Sequence, residues 1–74
     1  MKIRFMLKIL QDRLIEQRKL NKKTQRQVAE FLQIAQPSYM RYENGSSEPS
    51  LETLSKIADF FDVSVDYLLG RKEL

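Results

Sequence analysis

The stretch TQRQVAEFLQIAQPSYMRYENG, Thr24 to Gly45, decides how the rest of this chain is read. Thr24 with Gln27 three residues on is a capping box, in which each side chain satisfies the other residue's backbone N–H and marks a helix start. Val28, Ala29 and Leu32 recur at helical spacing and turn inward, Ala29 being small enough for a second helix to approach closely, while Arg26, Gln27 and Glu30 stay outward. Gln33-Ile34-Ala35 reads as a tight corner, and Glu43-Asn44-Gly45 closes the second helix with Gly45 as a left-handed cap. At about 100° per residue, Tyr39 and Tyr42 fall on one side of that second helix. Gln36, Pro37, Met40 and Arg41 fall on the other. Glutamine and arginine carry paired hydrogen-bonding groups that match adenine N6/N7 and guanine O6/N7 in the major groove, so this second face is a candidate DNA-reading surface.

These residues resemble the helix-turn-helix of the Cro/C1-type (XRE) family of bacterial and phage regulators: Thr24-Gln25 opens the first helix, Ala29 sits within it, Gln36 opens the second and Glu43-Asn44-Gly45 closes it. Glu48 to Leu54 and Val63 to Gly70 are similar to that family's last two helices, so the resemblance runs from about residue 10 to residue 70. It implies an all-α, five-helix lambda-repressor-like domain covering residues 1–74. Taken with the helical wheel and the charge of this chain, Gln36, Pro37, Met40 and Arg41 are the expected base readers, and Lys22, Lys23, Thr24, Gln25, Arg26, Ser38 and Asn44 the expected backbone contacts. Gln25 is expected to touch phosphate and brace Gln36. Arg18 is expected to pair with Glu43, with Arg13 as the alternative partner.

Charge points the same way. Residues 1–45 hold ten Lys/Arg against four Asp/Glu and residues 46–74 hold three against six, so the halves carry +6 and −3. The basic half contains the candidate reading helix, the asymmetry expected of a surface that neutralises phosphates. The absence of Cys and His removes disulfides, Cys/His zinc sites and His-based triads, and no enzymatic role or cofactor is expected. Asp59, Asp62 and Asp66 straddle a turn without neighbouring ligands and are read as helix-end charges, not as a metal site. No apolar run reaches membrane-spanning length and no cleavable leader is evident, so a cytoplasmic location is expected.

Outside the central stretch the reading is uneven. Leu7 to Leu20 is helix, rich in good formers and free of Gly and Pro. Residues 1–6 fit helix and strand periods alike, and an N-terminal arm is one reading of them. Phe5 and Ile9 stand off the main stripe, as a partner-facing patch or as a small local core. Asn21 or Lys22 takes the turn that follows. The family carries Gly-Leu where this chain has Lys22-Lys23. Pro37 biases the preceding residue away from helical geometry, which makes Gln36 the expected cap and shifts the helix start by one residue. The family has Ser or Thr where Ala35 stands, and an aliphatic residue where Tyr39 is expected to reach the edge of the core. The loop Ser46 to Pro49 lacks the basic residues of many relatives, so fewer loop contacts are expected. Ser50 caps a core helix with Leu51, Leu54, Ile57, Ala58 and Phe61 inward, and Ser64 caps a short fifth helix.

A chain of this length buries only about 60% of its unfolded surface, which favours pairing with a second copy. Val65, Leu68 and Leu69 are the expected contact, and Phe5 and Ile9 the competing one. The resulting expectation is a homodimer on a near-palindromic duplex operator, repressing in the manner of phage or mobile-element regulators. Without a second domain for an effector, control would come through concentration, proteolysis or a protein partner. An antitoxin or restriction-modification controller shares the architecture, and a protein-interaction module without DNA contact is the reading from another class.

Overall fold

The computed structural model describes residues 3–74, which form five helices: α1 (Ile3–Leu20), α2 (Gln25–Leu32), α3 (Gln36–Asn44), α4 (Leu51–Phe61) and α5 (Val65–Leu68). In α1, Leu10, Leu14 and Gln17 keep one helical stripe in the interior. Ile3 to Met6 continue this helix, so neither a strand nor an arm describes them. A strand would leave its backbone groups without a partner strand among the described residues, whereas the helix satisfies them locally. Residues 1 and 2 lie outside the described part of the chain. Phe5 and Ile9 divide between their two readings: Phe5 is exposed, while Ile9 is half-buried against the end of α5, so close that a Cβ on Gly70 would come within 2.6 Å of Ile9 Cδ1.

Lys22 takes the turn after α1 in the left-handed conformation (φ 56°), and the backbone N–H of Lys23 donates to Arg18 O at 2.9 Å. A lysine there costs about 1–2 kcal/mol that glycine would avoid. The capping box of α2 is complete: Gln27 N donates to Thr24 Oγ1 at 3.0 Å and Thr24 N to Gln27 Oε1 at 2.8 Å. Gln33 ends α2 with φ 59°, and Ile34 N donates to Ala29 O, which turns the chain sharply into α3.

The start of α3 differs from expectation. Ala35, extended at φ −69° and ψ 146°, is the cap and makes no side-chain capping bond; Gln36 is already helical and Pro37 is the second helical residue. Proline costs no hydrogen bond there, because the first N–H groups of a helix have no intrahelical acceptor. In this position the Gln36 side chain donates Nε2 to Gln25 Oε1 at 2.9 Å. There is therefore no one-residue shift.

Tyr39 also departs from the reading: it is wholly buried and stacks edge-on against Tyr42 at 6.1 Å. Gly45 ends α3 at φ 82° with its α-carbon against the Gln11 side chain, where a Cβ would meet Gln11 Nε2 at 2.3 Å. The core joins Leu10 and Leu14 to Val28, Ala29, Leu32, Tyr39, Leu54, Ile57, Ala58, Phe61, Tyr67 and Leu68. Burial of this apolar surface is the main term favouring the fold.

Two apolar residues lie where periodicity did not place them. Leu51 has the phase of the core stripe but is 86% exposed, because it begins α4 beyond the reach of the helices packed on the rest of that face. It borders a shallow apolar groove of about 150 Å³ shared with Ile3, Met6, Pro49 and Leu69. Leu68, expected at a dimer contact, is fully buried within its own chain and cannot face a partner; Val65 and Leu69 are half-buried. Arg13 is engaged elsewhere than Glu43. It lies over the Tyr67 ring at 4.4 Å and donates to Tyr67 O, to Lys72 O at 2.9 Å and to Glu73 Oε2 at 2.8 Å.

Candidate nucleic-acid interface

A chain of charged and amide groups runs from α1 to the first turn of α3. Arg18 presents its guanidinium to Glu43 by two bonds, Nε to Oε2 at 2.7 Å and Nη2 to Oε1 at 3.0 Å, and its remaining nitrogen Nη1 donates to Lys23 O at 3.2 Å. Glu43 Oε1 also accepts from Gln25 Nε2 at 3.0 Å, and Gln25 Oε1 accepts from Gln36 Nε2 at 2.9 Å. The order is chemically determined. An ionised carboxylate only accepts, so Gln25 must turn its nitrogen to Glu43 and its oxygen to Gln36, and Gln36 must answer with nitrogen. Among the described residues nothing engages the Gln36 carbonyl oxygen or its second N–H, the pair that matches adenine N6 and N7. Gln25 keeps one N–H free for a phosphate oxygen.

Glu43 is buried, its side chain only 4% exposed, and that of Arg18 is 16% exposed. Burial pushes the Glu43 carboxyl up, but the hydrogen bonds from Arg18 and Gln25 and the Arg18 charge outweigh it and hold the group below the ordinary carboxylate range. The hydrogen bond to Glu43 raises Arg18 further above its already high value. For Tyr39, burial and then the adjacent Glu43 carboxylate push the phenol up, so it stays neutral; its hydroxyl has no close, well-aligned partner among the described residues.

A carboxylate with a lowered folded pKa stabilises fully above its unfolded value and loses that contribution as pH falls through the folded one. Wild-type stability in urea is therefore expected to fall more steeply below about pH 4.5, the ordinary glutamate value, than that of Glu43→Gln. Parallel acid profiles would contradict the role given to this carboxylate.

Around this chain lie the remaining expected contacts. Pro37, Met40 and Arg41 are exposed on α3; Lys22, Lys23, Thr24 and Arg26 are exposed at the start of the motif; Gln25, Gln36 and Ser38 are half-buried. Among the described residues, Lys22, Lys23, Arg26 and Arg41 take part in none of the ion pairs, which join Lys8–Asp12, Arg13–Glu73, Arg18–Glu43, Lys56–Glu52 and Arg71–Asp66. Four uncompensated cations thus surround the braced amides. Asn44 is exposed but partly committed: its Oδ1 accepts from Ser46 N at 2.9 Å and from the Ser46 hydroxyl, leaving its amide nitrogen to donate.

Sequence reasoning placed Glu43 opposite Arg18 but missed its bond to Gln25. Nothing in an 18-residue separation signals that contact. Asp62 caps α4 in the left-handed conformation and Asp66 lies in the first turn of α5, and the described residues contain no acidic cluster that would hold a metal ion. No helix among them is long and apolar enough to cross a membrane.

A short, closely packed helix pair, its second helix exposed and oriented by a buried ion pair, defines a helix-turn-helix protein. A family model described as helix-turn-helix matches residues 14–68, and the chain belongs to that family, the Cro/C1-type (XRE) group of DNA-binding transcriptional regulators. It is 45% identical over 62 residues to the cryptic phage CTXphi transcriptional repressor RstR of Vibrio cholerae, covering 84% of this chain and 55% of that protein. It is equally identical over 62 residues to the HTH-type transcriptional regulator AnsR of Bacillus subtilis, with 84% and 53% covered. To ImmR of the same organism, also named an HTH-type transcriptional regulator, identity is 39% over 62 residues, with 84% and 49% covered. The chain thus spans about half the length of these relatives. No solved structure matches it.

Proposed function

We propose that the chain is a sequence-specific, duplex-DNA-binding transcriptional regulator, a repressor of phage or mobile-element type that sits on a near-palindromic operator as a homodimer. The observation that carries this reading is the braced Gln36, held through Gln25 and Glu43 with its adenine-matching edge unused, beside an exposed Arg41. Similarity to RstR, a phage repressor, and to the transcriptional regulators AnsR and ImmR supports the class. In this reading Gln36, Pro37, Met40 and Arg41 meet base edges. Lys22, Lys23, Thr24, Gln25, Arg26, Ser38 and Asn44 set the register on phosphates.

Val65 and Leu69 remain in the proposed dimer contact, and exposed Leu51 joins them because it borders the same groove as Leu69. Phe5, exposed near the N-terminal end of α1, is the competing surface.

Selection of bound duplex from a random pool tests the reading. Enrichment is expected of two inverted half-sites with centres about one helical turn, ~34 Å, apart. Leu51→Lys, on a side chain too exposed to matter for folding, should shift the protein toward monomer in sedimentation and weaken operator binding about tenfold, on the ~1.4 kcal/mol scale of a lost apolar contact. An asymmetric selected site, bound one to one by a protein that stays monomeric at high concentration, would remove the dimer from the proposal.

A further inference from the structure

The exposed surface of α3 is unusual in its centre. Viewed down the axis, the outward arc holds Met40, Asn44, Pro37 and Arg41 in that order, with Gln36 at one margin. Two of these five are apolar, and neither Pro37 nor Met40 belongs to the core or packs against it; Met40 is 39% exposed. Asn44 stands at the C-terminal end of α3, a turn beyond Met40, with its carbonyl engaged by Ser46, so over the first two turns Gln36 and Arg41 flank an apolar pair, Pro37 and Met40.

The major groove offers such a strip only one apolar group. Besides ring C–H positions, the base edges there present hydrogen-bond donors and acceptors, and the one alkyl group is the 5-methyl of thymine, or of a methylated cytosine. Set against guanine O6 or cytosine N4, Pro37 and Met40 would strip water from a polar atom and give nothing in return. Resting on the DNA-reading role proposed above, we infer that Pro37 and Met40 recognise the 5-methyl group of a pyrimidine, and that the pyrimidine is thymine. Each half-site then places one or two thymines between the base pairs met by Gln36 and Arg41. Pro37 is well placed for this, since residues of the first turn of a recognition helix come nearest the bases and its ring is held rigid.

The test begins with the duplex selected from a thymine-containing random pool and replaces each thymine in turn by deoxyuridine, which pairs identically and lacks only the methyl. Binding by the full chain should weaken about fourfold for each methyl removed at one or two positions per half-site, and hardly at the others. Met40→Ala and Pro37→Ala, both on exposed side chains, should bind the thymine duplex as weakly as wild type binds the deoxyuridine duplex. They should gain no further loss from deoxyuridine while keeping preference at the Gln36 and Arg41 positions. Selection of cytosine there, with binding strengthened about fourfold by 5-methylation, would assign the same pocket to methylated cytosine and overturn thymine as the source. Equal affinity for thymine and deoxyuridine at every position would overturn methyl recognition and leave DNA reading standing, whereas a pool that yields no enriched sequence would remove the DNA-reading role itself.

Discussion

Arg18→Ala is expected to lower the stability of the fold by about 3–5 kcal/mol, because it strands a Glu43 carboxylate that the interior has already stripped of water. A domain of this size holds roughly 4–11 kcal/mol in all, so the variant should sit near the edge of unfolding and show a sharply lowered midpoint in urea. The loss has two components that a second variant separates. Replacing both partners, Arg18→Met with Glu43→Leu, removes the stranded charge and should restore stability to within about 1–2 kcal/mol of wild type. It does not restore the acceptor that orients Gln25, which in turn orients Gln36. The double variant is therefore expected to fold well and read operator poorly. A single variant that loses less than about 1 kcal/mol, or a double variant with full operator affinity, would contradict the assignment of this pair as a buried aligning link.

Arg41→Ala and Lys23→Ala are expected to weaken DNA binding in different ways. Because α3 begins at Gln36 without the shift that Pro37 suggested, Arg41 keeps its outward direction on the reading face. Its loss should cost about 1–3 kcal/mol on the cognate site and relax preference at one base pair, most simply a guanine, for which arginine offers the matching fork. Lys23 precedes α2 and its carbonyl is tied back to Arg18, which leaves its ammonium for phosphate alone. Lys23→Ala should weaken all sequences alike and reduce the slope of log affinity against log salt by about one for each contact removed. Parallel binding measurements on cognate and scrambled duplexes at several salt concentrations decide the matter. Uniform weakening by Arg41→Ala with unchanged preference would move Arg41 from the bases to the backbone.

The motif was legible because its signals are local. The Thr24–Gln27 box, the inward Val28, Ala29 and Leu32, and the glycine closing α3 each need only their own few residues, and all stand where the sequence put them. The ion pair was legible only through the family resemblance, since no spacing rule joins residues 18 and 43. What escaped depended on neighbours. Periodicity gave Leu51 the right phase but could not tell that no helix covers the first turn of α4. In four-residue α5 the wheel is too short to define a face, so Leu68 was sent to a partner when it belongs to the core. Tyr39 was judged by its hydroxyl, whereas the core takes the whole ring. Proline at position 37 was read by its effect on the preceding backbone, and the residue that hydrogen-bonds the Gln36 side chain lies eleven positions away.

The uneven wiring of the reading face bears on how such a protein could change its target. Gln36 is tied through Gln25 to Glu43 and Arg18, so exchanging it alone leaves the Gln25 carbonyl oxygen without its donor while Glu43 holds the Gln25 nitrogen in place. A lineage cannot easily revise that position without revising its supports at the same time. Pro37, Met40 and Arg41 make no side-chain hydrogen bond to the rest of the chain among the described residues and can be exchanged one at a time. Divergence toward new operators should therefore begin at these three positions and keep an adenine under Gln36, so that sister regulators in one cell could share part of a half-site and still ignore one another's promoters.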